Sequence, residues 1–400
     1  MRYIEDLMRA VGVSKYPGRW AGFYQGVVEE YREKGPFFTE TGYLNAFNEK
    51  YRVFTRCFSD LLIAGEKLRN SPEHALFSLL FNRAMRDREL FKEELKDFAA
   101  EDRELLNYAL LFSMITAIPS AAEKLEKKGV PYDIYYATLA CFEDTCLDFM
   151  ARFDRVGYHA GYINWLQLYL DGRILRIGRL NFETRNRLNE PVHVFRNNRG
   201  EYKIFITDTR IHKSGMVLNT PGYEDKEESF ETGFVETDGF YEGNSVYRNN
   251  RVCREKTRLY KNEWSLVLSV GDPVISVHIP AGGRLIAGEC EASYSKAREI
   301  FKRYYPEFRY KAFHCYSWLL SPQLEELLPE GSNILQFQKK YMRYPTICTG
   351  EDVLTFVFRN RFKDYSDMSE NTSLERALKK YHIGGKKIHE TGGVFFDQTM

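Results

Sequence analysis

The 400-residue chain has almost no net charge, few prolines and no closely spaced cysteines. Its 57 Lys and Arg residues nearly balance its 56 Asp and Glu residues, so no overall basic field favours nucleic acid or anionic lipid. The seven cysteines are scattered and form no Cys-x-x-Cys motif, which argues against a disulfide framework and against a structural zinc site. We therefore expect reduced thiols and no metal.

Long hydrophobic runs are also missing. The least polar stretch, 108–118, lies in a charge-free run of eighteen residues, 105–122, which is slightly shorter than the about 20 apolar residues of a membrane-spanning helix and contains several polar residues and a proline. Near the start, Glu5 and Asp6 occupy positions where a secretory signal would need an apolar segment. These features predict a cytoplasmic protein without a membrane partner. At about 150 residues per domain, the length predicts two or three domains.

Residues 1–155 are predicted to form a helical N-terminal domain. Apolar side chains recur there at steps of three and four, which places them on one stripe of a helix: Leu44, Phe47, Tyr51, Phe54, Phe58 and Leu61. Ser71-Pro72 has the residues typical of a helix start. Six or seven helices fit into this part of the chain.

Residues 156–400 are predicted to form a mixed β-sheet domain, so the fold class is α+β. Segments 165–170 and 173–180 flank Asp171-Gly172, a dipeptide typical of β-hairpins. Strand pairs are also expected at 192–195 with 202–207 and at 264–270 with 274–279. The polar segment 219–250 is interpreted as a long surface excursion, and a last strand is expected at 353–358.

The most informative stretch combines a strand, a glycine turn, a helix and a second strand. An apolar strand at 274–279 leads into Ala281-Gly282-Gly283, and a helix then carries apolar residues at helical spacing. The second strand, 310–320, follows Pro306. A right-handed crossover makes the two strands parallel and places the glycine turn at their carboxyl end, where ligands bind in such sheets.

Several short motifs resemble those of one bacterial acyltransferase family. They follow a helical first half and comprise Leu180-Asn181-Phe182-Glu183, His278-Ile279-Pro280-Ala281-Gly282-Gly283, His314-Cys315-Tyr316-Ser317-Trp318 and Ser332-Asn333-Ile334. Members of the family pair a helical N-acyltransferase N-terminal domain with a C-terminal domain similar to the GCN5-related N-acetyltransferase (GNAT) fold. The likeness covers most of the chain.

The resemblance implies that acyl-CoA or acetyl-CoA binds where two central parallel strands splay apart. Backbone amides of the following loop would hold the pyrophosphate at a helix N-terminus. The residues in the corresponding places are Ile279, Ala281, Gly282, Gly283, Arg284 and, at the start of a later helix, Asn333. The loop departs from the superfamily pattern, because it is longer and because Glu289 and Glu291 would repel a pyrophosphate. A plain structural turn is the alternative.

Three side chains are candidates for the chemistry. His278 ends the first splayed strand and is a candidate base, or else a satisfied core histidine. Tyr341 resembles the superfamily's acid that protonates the leaving thiolate, although it lies eight residues after Asn333 rather than seven, an error of about 100° on a helix. Cys315 is a candidate nucleophile that His278 would activate, or a buried thiol.

The leading hypothesis is transfer of an acyl group from acyl-CoA to a small-molecule or peptide amine by direct attack. The alternative is a non-catalytic ligand-binding or regulatory module on a degenerate GNAT fold, which the two glutamates would suit. The sequence leaves the acceptor, the acyl chain length and the oligomeric state open.

Overall fold

The computed structural model describes residues 3–360 and 362–397, and the chain divides into two compact units, Met1–Ile177 and Gly178–Met400. The division follows Ile177 rather than residue 155. The first unit consists mainly of helices: α1 (Ile4–Val11), α2 (Ala21–Lys34), α3 (Thr41–Tyr51), α4 (Phe58–Arg69), α5 (Pro72–Ala84), α6 (Arg88–Glu94), α7 (Glu104–Ile115), α8 (Ile118–Lys127), α9 (Tyr132–Phe153) and α10 (Ala160–Leu170). Its short strands are β1 (Val13–Lys15), β2 (Ala99–Ala100) and β3 (Ile174–Ile177).

The helical expectation for the first unit is confirmed, with more and shorter helices than predicted. The apolar stripe from Leu44 to Leu61 spans two helices, α3 and α4, which residues 52–57 separate. Helix α5 begins at Pro72 after Ser71, as the sequence indicates. Periodicity alone missed the break because the apolar spacing continues across it.

One segment of this unit has the length and composition of a membrane span. Glu104–Lys127 reaches a mean hydropathy of 1.5 over its most apolar window, but 72% of that window is buried inside the fold. It comprises α7 and α8, and α7 packs against α4 and α5. The helices at the centre of a folded domain meet the same criteria, since they are apolar on every side.

The described part of the second unit contains two large sheets, a separate pair of short strands and several helices. Its elements are β4 (Leu180–Arg185), β5 (Val192–Asn197), β6 (Tyr202–Ile206), β7 (Arg210–Ile211), β8 (Phe230–Glu231), β9 (Phe234–Glu236), β10 (Phe240–Val246), β11 (Val252–Tyr260), β12 (Trp264–Leu268), β13 (Val274–His278), α11 (Ala287–Tyr304), β14 (Ala312–Ser317), α12 (Asn333–Gln338), β15 (Met342–Pro345), α13 (Ser373–Ile383) and β16 (Thr391–Phe395). A π-helical turn occupies Leu354–Phe358.

The sheet that positions the candidate site has the strand order β4-β13-β14-β16-β15. Strand β13 runs parallel to β14 and antiparallel to β4, and β16 is antiparallel to both β14 and β15. Helix α11 connects the two parallel strands, which confirms the predicted strand, glycine turn, helix and strand.

The other sheet has the order β11-β10-β6-β5-β12, with β9 also pairing with β10. A shared core of buried, mostly aliphatic residues joins the two sheets. Its members are Val192, Val194, Ile206 and Leu268 from this sheet and Val274, Ala312, Tyr344 and Val394 from the first.

The predicted hairpin around Asp171-Gly172 is wrong, because residues 160–170 form helix α10. Gly172 has a φ of +65° and ends that helix. The amide of Arg173 donates to the carbonyl of Leu168, a bond typical of a glycine-terminated helix. A short apolar run followed by Asp-Gly suits either structure, and tertiary packing decides between them.

Three other strand predictions need correction. Segments 264–270 and 274–279 do not pair, since β12 belongs to one sheet and β13 to the other. The interpretation of 219–250 as a surface excursion fails for β10, a strand inside its sheet with Asn244 and Ser245 buried. The expected strand at 353–358 is largely the π-helical turn, and the last strand is β16 instead.

Strand β16 escaped prediction because two glycines interrupt its apolar pattern. A Cβ at Gly392 would lie 2.2 Å from Cε2 of Tyr344, and one at Gly393 would lie 2.9 Å from Cδ1 of Leu320. Both glycines are required because large side chains pack directly on the strand backbone.

We expect Gly392→Ala to lower the free energy of unfolding by about 1–3 kcal/mol, because the buried Tyr344 ring has to move to admit a methyl group. Gly239→Ala is the matched control, since an added Cβ there meets nothing within 4 Å, and its effect should stay within about 0.5 kcal/mol. Urea unfolding measures both variants. Equal stabilities would contradict the packing described for β16.

Candidate functional site

The two parallel strands separate at their carboxyl ends. The ladder between β13 and β14 consists of three pairs and ends at Ser276 and His314. Each strand nevertheless stays paired with its outer neighbour to its tip, His278 with Asn181 of β4 and Ser317 with Thr391 of β16. The last two residues of β13 and the last three of β14 therefore border a gap between the strands. The predicted parting of the two strands is seen in their pairing, and its use as a ligand site stays a prediction.

A glycine loop leads from β13 into α11 beside the gap. Gly282 and Gly283 have successive φ values of +76° and +71°, which L-residues rarely adopt. Ala281, Gly282, Gly283 and Arg284 are exposed, as are Ala287 and Gly288 at the start of α11. An exposed glycine loop at the first turn of an eighteen-residue helix suits an anionic ligand.

Arg179 holds this loop in place, a role that sequence analysis missed. Its guanidinium donates to three loop carbonyls, from Nε to Arg284 at 3.0 Å, from Nη1 to Pro280 at 3.1 Å and from Nη2 to Gly283 at 3.1 Å. Its backbone amide donates to Oγ of Ser293 on α11 at 2.9 Å. Three loop carbonyls thus accept hydrogen bonds from one planar guanidinium, which also places a positive charge beside the loop.

The two acidic residues near the start of α11 differ in their surroundings. Glu289 is exposed in the first turn, whereas Glu291 lies two residues further and pairs with Lys340, whose Nζ is 2.9 Å away. Lys340 also lies over the ring of Tyr294. The pairing of Glu291 with Lys340 thus reduces the repulsion expected from two carboxylates.

His278 is placed as a candidate base. Its Nε2 lies 3.0 Å from Oε2 of Glu183 on the neighbouring strand β4, and the carboxylate is almost fully buried while the imidazole is about one-quarter exposed. A buried carboxylate that hydrogen-bonds a histidine fixes the orientation of the imidazole. In the sequence, Glu183 is recognisable only as part of a motif, and nothing there indicates that it contacts His278.

His278 belongs to a row of polar side chains on one face of the sheet. Side chains alternate between faces along a strand, so Glu183, Ser276, His278 and His314 share a face. Oγ of Ser276 lies 3.3 Å from Nδ1 of His314, which is fully buried. Alternating polar residues inside buried strands were a visible sequence signal for this row.

Tyr341 and Cys315 lie on the opposite face, under α11. The hydroxyl of Tyr341 is 2.8 Å from that of Tyr294, and burial raises the pKa of Tyr341 well above its usual value. The residue therefore keeps its proton at neutral pH, and its role as the acid stays a prediction. Helix α12 ends at Gln338, before Tyr341, so the helical error attributed to the eight-residue spacing does not apply. Asn333 is the first residue of α12 and is partly exposed.

The surroundings of Cys315 argue against a nucleophile. Its side chain is fully buried, and burial raises the pKa of the thiol. His314 and His278 share the other face, so His278 is not positioned to activate it. Cys315 fits the alternative reading as a small buried thiol.

A metal site is not apparent in the part of the chain that the structure describes. No group of three or more His, Cys, Asp or Glu side chains within it is arranged to hold a metal ion. All seven cysteines are free and buried.

Comparison with solved structures shows the fold of acyltransferases. The chain matches an acyltransferase mutant in complex with octanoyl-CoA at 17% identity and a TM-score of 0.62, over 98% of both chains. It matches an acyltransferase in complex with decanoyl-CoA and teicoplanin with the same figures. A complex with CoA and 10C-teicoplanin matches at 17% identity and a TM-score of 0.61, again over 98% of both chains.

Comparison with protein families covers both units. None of the curated proteins compared with the chain matches it. Residues 44–172 match the N-acyltransferase N-terminal domain, and residues 174–395 match the GNAT-like C-terminal domain. The second match alone spans more than half of the chain, and its domain contains the gap, the glycine loop and the polar row. The chain therefore belongs to the family with an N-acyltransferase N-terminal domain and a GNAT-like C-terminal domain, as the sequence motifs suggested.

Proposed function

We propose that the protein transfers an acyl group from acyl-CoA to an amine by direct attack. The observation that carries the proposal is the gap between β13 and β14, which opens next to an exposed glycine loop. The gap suits the extended pantetheine arm, whose amides find strand backbone groups on either side. The loop and the N-terminus of α11 suit the pyrophosphate. Ile279, Ala281, Gly282, Gly283 and Arg284 are the residues that would hold it.

The proposed acid and the proposed base lie on opposite faces of the sheet. The Tyr341–Tyr294 pair lies on the face covered by α11, and the His278–Glu183 pair lies on the other. An amine that approaches the gap from the face of His278 forms a C–N bond with the thioester carbon. The C–S bond then breaks, His278 takes the proton from nitrogen, and Tyr341 gives its proton to sulfur.

Direct attack fits the geometry better than a covalent acyl-enzyme. The cysteines nearest to the gap, Cys315 and Cys290, are buried, and burial raises the pKa of both thiols. Strand amides at the gap supply the hydrogen bonds that polarise the thioester carbonyl. The solved relatives in complex with octanoyl-CoA and decanoyl-CoA support a CoA thioester as the donor.

The acceptor belongs to the same proposal. An amine is the acceptor class that a histidine base and an N-acyltransferase domain suit. The relative in complex with teicoplanin supports an acceptor of considerable size, such as a glycopeptide. We place the protein in the cytoplasm, where its seven free thiols would stay reduced.

Calorimetric titration with octanoyl-CoA, followed by a thiol-release assay with a panel of amines, tests the proposed function. Binding together with amine-dependent release of CoA supports it. Binding without turnover in any acceptor would identify the non-catalytic module instead, and the absence of binding would refute both the enzyme and the CoA site.

Arg179→Gln should raise the Kd for CoA about tenfold, the equivalent of one lost charge-assisted hydrogen bond, because three loop carbonyls lose their common donor. Isothermal titration measures the effect. Arg199→Gln, in the exposed turn between β5 and β6, is the control and should bind CoA as the unaltered protein does. An unchanged Kd for Arg179→Gln would show that Arg179 does not organise the site.

His278→Ala should lower kcat by about a hundredfold to ten-thousandfold while leaving the Kd for CoA unchanged, the usual range for loss of a general base. Glu183→Gln should lower kcat less, because it leaves the imidazole in place but removes its charged partner. Steady-state kinetics with the best amine of the panel decides this. Full activity of His278→Ala would leave the histidine a structural role only.

A further inference from the structure

The second unit contains a cavity beside the polar row. Its volume is about 420 Å³, within the usual range for small-molecule sites. It opens between the first sheet, which supplies Tyr344, and the second sheet, which supplies Val192 and Ile206. Val217 and Leu218 complete an apolar floor, whereas the charged residues Asp208, Arg210 and Lys226 are exposed at its rim.

Two polar atoms in the wall have no hydrogen-bond partner among the described residues. They are Oε2 of Glu190 and the hydroxyl of Tyr344, and both atoms are buried. Tyr344 is fully buried and the side chain of Glu190 is 14% exposed. Buried polar atoms without partners are costly, so in an apolar cavity they indicate a ligand that supplies the missing partner.

The carboxylate of Glu190 is ionised at neutral pH. Burial alone raises the pKa of Glu190, but the nearby His314 imidazole, the residue's own backbone amide and Arg185 lower it to about 2. Oε1 lies 3.4 Å from Nε2 of His314 and 3.7 Å from Nη1 of Arg185. Oε2 therefore presents negative charge that no described residue hydrogen-bonds.

The cavity adjoins the gap through β14. His314, which contacts both Ser276 and Glu190, is the residue at which the ladder with β13 ends. Two residues further, the hydroxyl of Tyr316 lies 3.4 Å from the carbonyl oxygen of Ile347 in the cavity wall. One imidazole thus separates the carboxylate from the point where the strands part.

We propose that this cavity binds an ammonium group of the acyl acceptor other than the attacking amine, together with an apolar part of the same molecule, with the cation on Oε2 of Glu190 and the Tyr344 hydroxyl beside it. That the bound amine is the acyl acceptor rests on the proposed function. That the cavity binds an apolar primary amine does not depend on it. An uncharged acyl chain is the competing occupant, since most of the lining is apolar. A buried carboxylate disfavours such a chain, because nothing in it compensates the charge.

The test uses 2-phenylethylamine and its neutral counterpart 2-phenylethanol as probes of the full-length protein. We expect calorimetry or ligand-observed NMR at pH 7 to show the amine binding at least about tenfold more tightly, as one charge-assisted hydrogen bond provides. Equal binding would assign the cavity to an uncharged group and overturn the proposal. So would the absence of amine binding at about 10 mM, an affinity below that of weak specific ligands.

Substitutions in the cavity wall test whether the amine binds at this site. Glu190→Gln should reduce the affinity for the amine to that for the alcohol, and Tyr344→Phe should weaken both probes. Glu201→Gln is the control, since Glu201 follows the turn at the far end of β5 and should leave both affinities unchanged. If Glu190→Gln does not fold, as thermal unfolding would show, Tyr344→Phe decides alone: unchanged affinities in it would overturn the proposal.

A parallel titration with octanoyl-CoA separates this inference from the proposed function. CoA binding by Glu190→Gln together with a loss of amine affinity supports a separate acceptor site. If acyl transfer is established, Glu190→Gln should raise the KM for the amine about tenfold and change kcat less. Failure of CoA binding in the unaltered protein would refute the proposed function. The amine site would then be judged only by the binding of the amine and alcohol probes.

Discussion

The parting of β13 from β14 is the constraint on which the candidate site depends. Two parallel strands that share three pairs and then separate leave backbone groups without a neighbour, a cost that a sheet normally avoids. Here β4 and β16 pair with the outer edges of the two strands to their tips, so the strands part from each other while each stays in the sheet. A ligand with alternating amides, such as pantetheine, offers hydrogen bonds that the missing neighbour would have provided.

Strand alternation assigns different chemistry to the two faces of that gap. One face carries Phe182, Phe313 and Tyr341 under α11, an aromatic layer that keeps the Tyr341 hydroxyl protonated. The other face carries His278 and Glu183 with their polar neighbours. Because consecutive residues of one strand point to opposite faces, an acid and a base can approach a thioester from two sides without contacting each other.

Part of the site followed from sequence because local rules govern it. The glycine turn, its parallel strands and His278 at a strand end were predictable from patterns within about forty residues. Arg179 and Glu183 were not, since their partners lie about a hundred residues away and only the pairing of β4 with β13 brings them together. The same holds for Lys340, which lies in the turn after α12 and pairs with Glu291 of α11, 49 residues away.

The amino-acid sequence by itself determined the helical first half, the strand-rich second half and the family, because periodicity, turn residues and short motifs are local properties. It did not determine whether 160–170 is helix or strand, that Gly392 and Gly393 lie in a strand, or that Cys315 is shielded from His278. Those depend on which rings pack on which backbone and which strands pair. Such contacts join residues far apart in the chain, and only the tertiary structure decides them.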